Sequence, residues 1–525
     1  VYTDLEFLLS FSVTSMSDED VDAGSTLADR PRDYRLTTGS PGLDDILNGG
    51  FPANRLYLIE GDPGTGKTTL ALQFLLEGAR QGEPVLYVTL SETREELLGV
   101  ARSHGWSLDG LDIHELVPPE ESLRAESQYT IFHPSEVELG DTTNAVLDEV
   151  ERIQPRRVVF DSLSEMRLLA RDPLRYRRQI LALKQFFAGR QCTVLLLDDR
   201  TSSAGDLQVQ SIAHGVVVLE QLAVAYGAER RRVRVVKLRG SRFRGGYHDL
   251  NILTGGMRVY PRIVAADSRR SFEPRSISSG VPAFDELLGG GLDIGTSTLL
   301  MGPAGSGKST IASQFAAEAA KRDEFAAIFI FDEGINTYLL RAEGMGSDIR
   351  AMVEHGAISL QQVDPAEMSP GEFASRVRAC VEEHSARVVV IDSINGFLNS
   401  MPDESFLTAQ LHELLTFLNQ EGIITLLVLS QHGFLGSNMG SPVDVSYLAD
   451  NVVLLRYFEA EGAVRRAVSV VKKRTGRHEP TIREMTITSS GIELGSPLSA
   501  FHGVLTGVPT FTGKKGSLSN DDGGN

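Results

Sequence analysis

A chain of 525 residues exceeds what one hydrophobic core serves, so two domains of roughly 200–250 residues each are expected, either able to bury a full core unaided. With 41% hydrophobic and 23% charged residues it has the composition of a soluble globular protein, and no apolar run approaches the roughly 20 residues of a membrane-spanning helix. The net charge of −19 argues against a protein that lives on nucleic acid, whose phosphates would repel it, although a local basic channel would escape that argument.

From the start of the chain, Leu5 to Val13 is apolar, but Asp4 and Glu6 stand where a secretion signal carries basic residues and no small-residue cleavage site follows, so a cytoplasmic protein is expected. Met16 opens a polar acidic stretch and is a candidate natural start, and residues 1–30 are expected to be a disordered extension outside the fold. Cys192 and Cys380, far apart in sequence, read as small buried hydrophobes rather than as redox or metal groups.

Beyond residue 30 the chain repeats itself. Gly39–Gly50 and Gly280–Gly291 each read as a short acidic helix closed by glycines, offset by 241 residues. The apolar runs Arg55–Gly61 and Thr296–Gly302 follow, then Gly61-Asp-Pro-Gly-Thr-Gly-Lys-Thr68 and Gly302-Pro-Ala-Gly-Ser-Gly-Lys-Ser309, still 241 apart. Strand-like runs Val85–Leu90 and Ala327–Phe331 end in the carboxylate-bearing turns Ser91-Glu92 and Asp332-Glu333 at the same offset. A duplicated domain is the economical explanation. Asp161 and Asp392, closing the next hydrophobic strands, are 231 apart, which puts about ten extra residues in the first copy, expected near Pro118 to Pro134. Runs Thr193–Leu197 and Ile423–Leu429 add a buried strand per copy, and Arg232–Leu238 and Ala467–Lys473 read as later strands. Buried strands alternating with amphipathic helices predict an α/β fold: tandem duplicated P-loop nucleoside triphosphatase (NTPase) domains, each a mainly parallel sheet flanked by helices. The expected division is a first domain over 31–262, a linker over 263–276, a second domain over 277–505 and a flexible tail over 506–525.

G-x-x-x-x-G-K-[ST] between an apolar strand and an amphipathic helix predicts a cradle for nucleotide phosphates, because glycines let backbone N–H groups wrap them and the helix points its positive end at them. The residues expected to bind nucleotide are Asp62, Gly64, Thr65, Gly66, Lys67, Thr68 and Thr69 in the first copy and Gly305, Ser306, Gly307, Lys308, Ser309 and Thr310 in the second. Lys67 and Lys308 reach the terminal phosphates of ATP or ADP, Thr68 and Ser309 ligate Mg2+, and Asp161 and Asp392 hold that metal through water. A dinucleotide fold fits poorly, since Gly64-Thr-Gly66 and Gly305-Ser-Gly307 lack a third glycine three residues on.

A carboxylate closing the strand after the P-loop helix is where a general base could stand near the terminal phosphate, orienting water for hydrolysis or a hydroxyl for phosphoryl transfer. Glu92 has that place in the first copy and Asp332 with Glu333 in the second; a solvated acidic turn is the alternative. Basic clusters also recur: Lys237-Leu-Arg239 with Arg242 and Arg244, and Lys472-Lys-Arg474 with Arg477 and His478. Alternation puts Lys237 and Arg239 on one strand face, and likewise Lys472 and Arg474. A solvated face, a nucleic-acid surface and cations offered to a neighbouring subunit's phosphates are the three readings of these clusters.

With the paired G-x-x-x-x-D-x-x-L-x-G-G openings, Lys237-Leu-Arg-Gly240, Thr481-Ile-Arg-Glu484, and Asp444–Asp450 ahead of Val452–Tyr457, nearly all of residues 31–510 resembles the KaiC family, circadian-clock ATPases and autokinases of the RecA superfamily. The resemblance implies RecA-like domains and a homohexamer of two stacked rings with ATP between subunits. It implies slow ATPase activity in the first ring, and autokinase and autophosphatase activity in the second. By position it makes Lys237, Arg239, Ser241, Lys472, Arg474 and His478 contacts to a neighbour's nucleotide, and has Asp332 and Glu333 activate an acceptor hydroxyl presented by a neighbouring subunit. The family's adjacent Ser-Thr acceptor pair falls on Ser446 and Tyr447, which makes Ser446 the leading phosphoacceptor, with Ser441 a second candidate and Tyr447, a bulky phenol at a site shaped for threonine, a lesser one. Other departures are Ser91-Glu92 in place of two carboxylates, Asp332 in place of glutamate, and Phe243 where a histidine is expected, a place His478 keeps in the second copy. A KaiB-like partner on the first ring is implied by the resemblance alone, and the tail beyond Ser499 is short for docking a KaiA-like regulator. A RecA-like DNA-dependent ATPase and an ATP-assembled signalling scaffold without kinase activity are the competing functions.

Overall fold

The computed structural model describes residues 34–116, 134–170, 172–200, 208–223, 226–267, 270–398, 404–431, 446–505 and 510–511. The expected extension over 1–30, the inserted residues between Pro118 and Pro134, Ser441 and most of the tail lie outside them. Thr510–Phe511, within the segment expected to be flexible, pairs antiparallel with Phe501–His502.

In each repeat the P-loop strand, Leu56–Gly61 or Ser297–Gly302, sits in the middle of a nine-stranded sheet. From that strand outward on one side run Thr193–Asp199, Arg157–Asp161, Val85–Thr89 and Asp112–Glu115, all parallel. On the other side Gly215–Leu222 is parallel, and Arg230–Leu238, His248–Leu253 and Gly256–Tyr260 follow antiparallel. The second sheet has the same order: Ile358–Gln362, Ala326–Ile330, Val388–Asp392, Ile424–Ser430, Ser297–Gly302 and Asn451–Ala460 parallel, then Ala463–Lys473, Arg483–Thr488 and Gly491–Pro497 antiparallel. The two sheets are the mostly parallel, helix-flanked sheets of tandem RecA-like α/β domains, as the repeat predicts.

The central strands are buried along nearly their whole length, with mostly apolar residues, because helices cover both faces. Tyr57 and Ile59 point into one core with Phe74 and Leu75 of the P-loop helix, while Leu56 and Leu58 point into the opposite core with Ile180 and Leu183. That is the period-2 alternation of a strand buried on both sides.

The two domains are tied together by hydrogen bonds. Arg230 donates to the carbonyls of Pro365, Ala366 and Glu367 at 2.7–3.1 Å. Asp249 accepts the Gly371 N–H at 2.7 Å at the start of helix Pro370–Glu382, and Asn251 donates to Glu372 at 2.6 Å. Ile263 and Ala265 are buried in the second domain's core, and the Ala265 N–H donates to Glu413. Among the described residues no helix is long and apolar enough to cross a membrane.

Candidate nucleotide sites

The P-loops turn where the sequence predicts, on glycines in the left-handed region: φ is +85° at Gly64, +100° at Gly66, +74° at Gly305 and +104° at Gly307. A Cβ at Gly66 would lie 2.7 Å from Ile252 Cδ1, so strand His248–Leu253 closes the loop from below and admits no side chain. Helices Lys67–Arg80 and Lys308–Lys321 start directly after these turns, with their N-termini facing the loops.

Both P-loop lysines are buried. Lys67 donates to the carbonyls of Gly61 (2.8 Å) and Asp62 (3.1 Å), and Lys308 to that of Pro303 (2.7 Å). Burial pushes the Lys308 ammonium down to about 8. Thr65 donates to the Asp62 carbonyl, Thr69 meets His104 Nε2 at 3.4 Å, Ser306 is buried, and Thr310 meets the Met345 sulfur at 3.4 Å. The second site opens as a cleft of about 440 Å³ lined by Lys308, Thr310, Glu333, Arg341, Met345 and Arg466.

Register brings the acidic residues to these loops. Thr89 pairs with Asp161 and Ile330 with Asp392, so the two strands of each pair end together and the following turn meets the aspartate. Asp161 accepts from Tyr87 Oη at 2.6 Å, and Thr68 shares hydrogen bonds with Tyr87 and Glu92. In the second copy Ile328 stands where the first has Tyr87, and Asp392 bonds Ser309 directly. Burial raises both aspartates above the usual carboxylate range. Asp392 Oδ2 is buried with no hydrogen-bond partner in the second site, an acceptor that fits a hydrated Mg2+ beside Ser309, and Glu92 Oε2 is likewise buried without a partner in the first.

Glu92 is fixed by Thr89, whose hydroxyl donates to the Glu92 carbonyl and accepts its N–H. Burial first, then the Asp161 and Glu96 carboxylates, push the Glu92 carboxyl up to about 7. Its counterparts are more heavily partnered: Ser393 donates to Asp332, and Arg341 pairs with Glu333 at 2.5 Å. The peptide bonds Asp161–Ser162 and Asp392–Ser393 are both cis.

Two pairs of residues at the phosphate cradles escaped the sequence reading. Arg231 and Arg466 donate to the carbonyls of Gly64 and Gly305, at 3.2 and 3.3 Å. Asp199, at the end of strand Thr193–Asp199, forms an ion pair with Lys67 at 2.7 Å, while Asp198 beside it pairs with Arg167 at 2.6 Å. The acidic pair is visible in the sequence, but a strand ending at Leu197 gave no reason to place it at the P-loop.

The recurring cations share a face, as alternation predicts: Lys237 and Arg239 both reach the Ser211 carbonyl. Lys472 donates to the carbonyls of Ser446 (3.1 Å) and Ala449 (2.6 Å), and Arg474 to the Tyr447 carbonyl and to Asp450, both at 3.1 Å. Lys237 pairs with Val216, which is level with Leu58, three residues before Gly61, and Lys472 is likewise level with Leu299, three before Gly302. These cations therefore lie toward the end of the sheet away from their own P-loop. Ser446 shares their location, since Asp450 is anchored to the N–H of Ser297 at 2.9 Å, where the P-loop strand begins. Ser446 is half-buried and Tyr447 is 56% exposed. Ser241 accepts from Arg35, and His478 is half-buried beside the glycine turn at Gly289.

Two RecA-like domains in tandem, each with a P-loop, a strand-end aspartate and a further carboxylate, define a double-domain P-loop ATPase. The KaiC ATPase family model matches residues 36–263 and 277–499, and the chain belongs to that family. It is 27% identical over 481 residues to the circadian clock oscillator protein KaiC of Acaryochloris marina, 91% of either chain. It is also 27% identical to the KaiC of Synechococcus elongatus over 487 residues, 91% of this chain and 92% of that one. The KaiC of Prochlorococcus marinus is 27% identical over 485 residues, 90% of this chain and 95% of its own.

Proposed function

We propose that the chain works as a homohexamer of two stacked rings, hydrolysing ATP in the first domain and transferring phosphate to its own second domain at Ser446. The observation that carries this reading is the separation within each sheet: the cations and Ser446 lie at one end and the P-loop at the other. Neither Lys472 nor Ser446 is level with its own Lys308, and both fit a neighbour's nucleotide.

At the first site Lys67 and the helix N-terminus hold the phosphates, and Glu92 takes a proton from the attacking water as the bond from the γ-phosphorus to the bridging oxygen breaks, releasing ADP. Thr68 with Asp161, and Ser309 with Asp392, the aspartates through water, would hold Mg2+, which would supply charge neutralisation on the phosphate oxygens. At the second site Asp332 or Glu333 takes the proton from the neighbour's Ser446 hydroxyl as its oxygen bonds to the γ-phosphorus and the bond from that phosphorus to the bridging oxygen breaks, releasing ADP. Lys472 and Arg474, with Lys237, Arg239, Ser241 and His478, would meet the neighbour's phosphates as Arg-finger-type groups. The relatives' name, circadian clock oscillator proteins, supports a timing or state-reporting role for that modification.

Incubating the full chain with ATP and Mg2+ beside an Asp332→Asn/Glu333→Gln variant, followed by peptide mass spectrometry, tests the kinase. Phosphate on Ser446 that disappears in the variant is expected. ATP turnover with Ser446 and its neighbours unmodified would leave an ATPase ring and remove the kinase, and DNA-stimulated turnover would favour a DNA-dependent motor.

A further inference from the structure

The two P-loop lysines are in different electrostatic surroundings, and one carboxylate makes the difference. In the first sheet Gly61 pairs with Asp199, and in the second Gly302 pairs with Ser430. The strand carrying these residues lies between the P-loop strand and the strand ending in Asp161 or Asp392, so its C-terminal residue faces the phosphate cradle. Lys67, whose side chain is 9% exposed, therefore has a carboxylate 2.7 Å away, and Lys308 has a serine at the corresponding place.

Asp199 is held for this task. Its N–H donates to Ser164 Oγ at 3.1 Å, and that hydroxyl lies 3.4 Å from Asp199 Oδ2, while Asp198 is fixed by Arg167. The Ser164 hydroxyl has one proton and stands closer to Asp198 Oδ1, at 3.1 Å, so Lys67 is the nearer partner of the Asp199 carboxylate.

Building on the reading of the P-loops as nucleotide sites, we propose that Asp199 is a built-in phosphate surrogate: it competes with the terminal phosphate for Lys67, and the phosphate must displace it. Two effects then act in one direction. Binding breaks a charge-assisted hydrogen bond already made by a shielded lysine, and it brings a phosphate next to a carboxylate that stays fixed to its strand. The second site has Ser430 at the corresponding place, so this particular competitor is missing from it. The first site is thereby weakened by its own side chain.

The test measures binding of ADP and of a non-hydrolysable ATP analogue, with and without Mg2+, to the full chain carrying Lys308→Ala so that only the first site reports. Asp199→Asn and Asp199→Ser are each expected to tighten binding about tenfold, the gain from removing one charged competitor. The reciprocal Ser430→Asp, in a chain carrying Lys67→Ala, is expected to weaken the second site by a similar factor, which keeps the test open if the Asp199 variants fold poorly. Unchanged affinity in all three would overturn the surrogate. So would weaker binding in Asp199→Asn that appears only with Mg2+, because it would make Asp199 a metal-holding group. Absence of nucleotide from the first site in parent and variants alike would instead remove the nucleotide reading itself.

Discussion

Arg157 and Glu83 form an ion pair at 2.6 Å with side chains 0% and 6% exposed, in the middle of the first domain. The guanidinium also donates to the carbonyls of Thr37 (2.7 Å) and Phe74 (2.8 Å) and lies 4.7 Å from the centre of the Phe74 ring. A buried cation so completely partnered costs little while intact and much when one partner goes. Glu83→Ala is expected to destabilise the first domain by about 3–5 kcal/mol, and Glu83→Leu/Arg157→Leu by less, because no charge is then stranded. Trp106, the chain's single tryptophan, lies in that domain, so guanidinium unfolding followed by its fluorescence measures both.

His248 gives the first domain an acid limit. Its Nε2–H donates to the Arg244 carbonyl at 3.0 Å while Nδ1 accepts the Arg262 N–H at 3.0 Å, so both nitrogens are used only in the neutral ring. Burial, with Arg262 and Arg244 nearby and only partly offset by Asp45, pulls its pKa down from the ordinary 6.5 to about 4. Between these values the unfolded chain binds a proton the folded one refuses. The contribution is full above pH 6.5 and is lost as pH falls toward 4, about 3 kcal/mol in all. Unfolding midpoints across this range should fall less steeply in His248→Gln than in the parent.

Glu92→Gln keeps the hydrogen bonds to Thr89, which are made by the backbone, and removes the carboxylate proposed as the base. First-domain ATP turnover is expected to fall roughly 10²–10⁴-fold with nucleotide still bound, whereas Asp332→Asn/Glu333→Gln should leave it in place. Phosphate release at saturating ATP, alongside nucleotide retained after gel filtration, separates lost chemistry from lost binding.

If the second-domain sites are shared between chains, two defects in different chains should complement. Lys472→Ala/Arg474→Ala removes the offered cations and Lys308→Ala the phosphate grip, and each alone should lose Ser446 phosphorylation, the former by the roughly 10³–10⁵ typical of an arginine finger. Mixed assemblies contain interfaces with an intact P-loop from one chain and intact cations from the other. Recovered phosphorylation on mixing is the expected result, and none at any ratio would exclude a shared site.

Much of this architecture was legible because the duplication repeats the same chemistry at a fixed offset. Two P-loops, each with a strand before it, a helix after it and an aspartate closing a later strand, leave few folds open, and the same-face pairing of Lys237 with Arg239 follows from alternation. The remainder depends on register across the sheet. Arg157 at the start of a strand reads as a solvated end, yet it lies level with Val85, and Val388 fills its place in the other copy. Arg231 and Arg466 are over 150 residues from the glycines whose carbonyls they reach, and no local pattern announces that meeting. Asp199 was hidden by two residues of strand length.

Strand His248–Leu253 does two jobs with two of its side chains. Ile252 closes the first P-loop under Gly66, and Asp249 caps a helix of the second domain. Separating the halves at 263–276 would bare the Asp249 carboxylate, leave the Gly371 N–H of helix Pro370–Glu382 without that acceptor and strip Arg230 of three carbonyls. Each copy has surrendered part of its finished surface to the other, so what began as a doubled module has become a single heritable object whose halves no longer make sense apart.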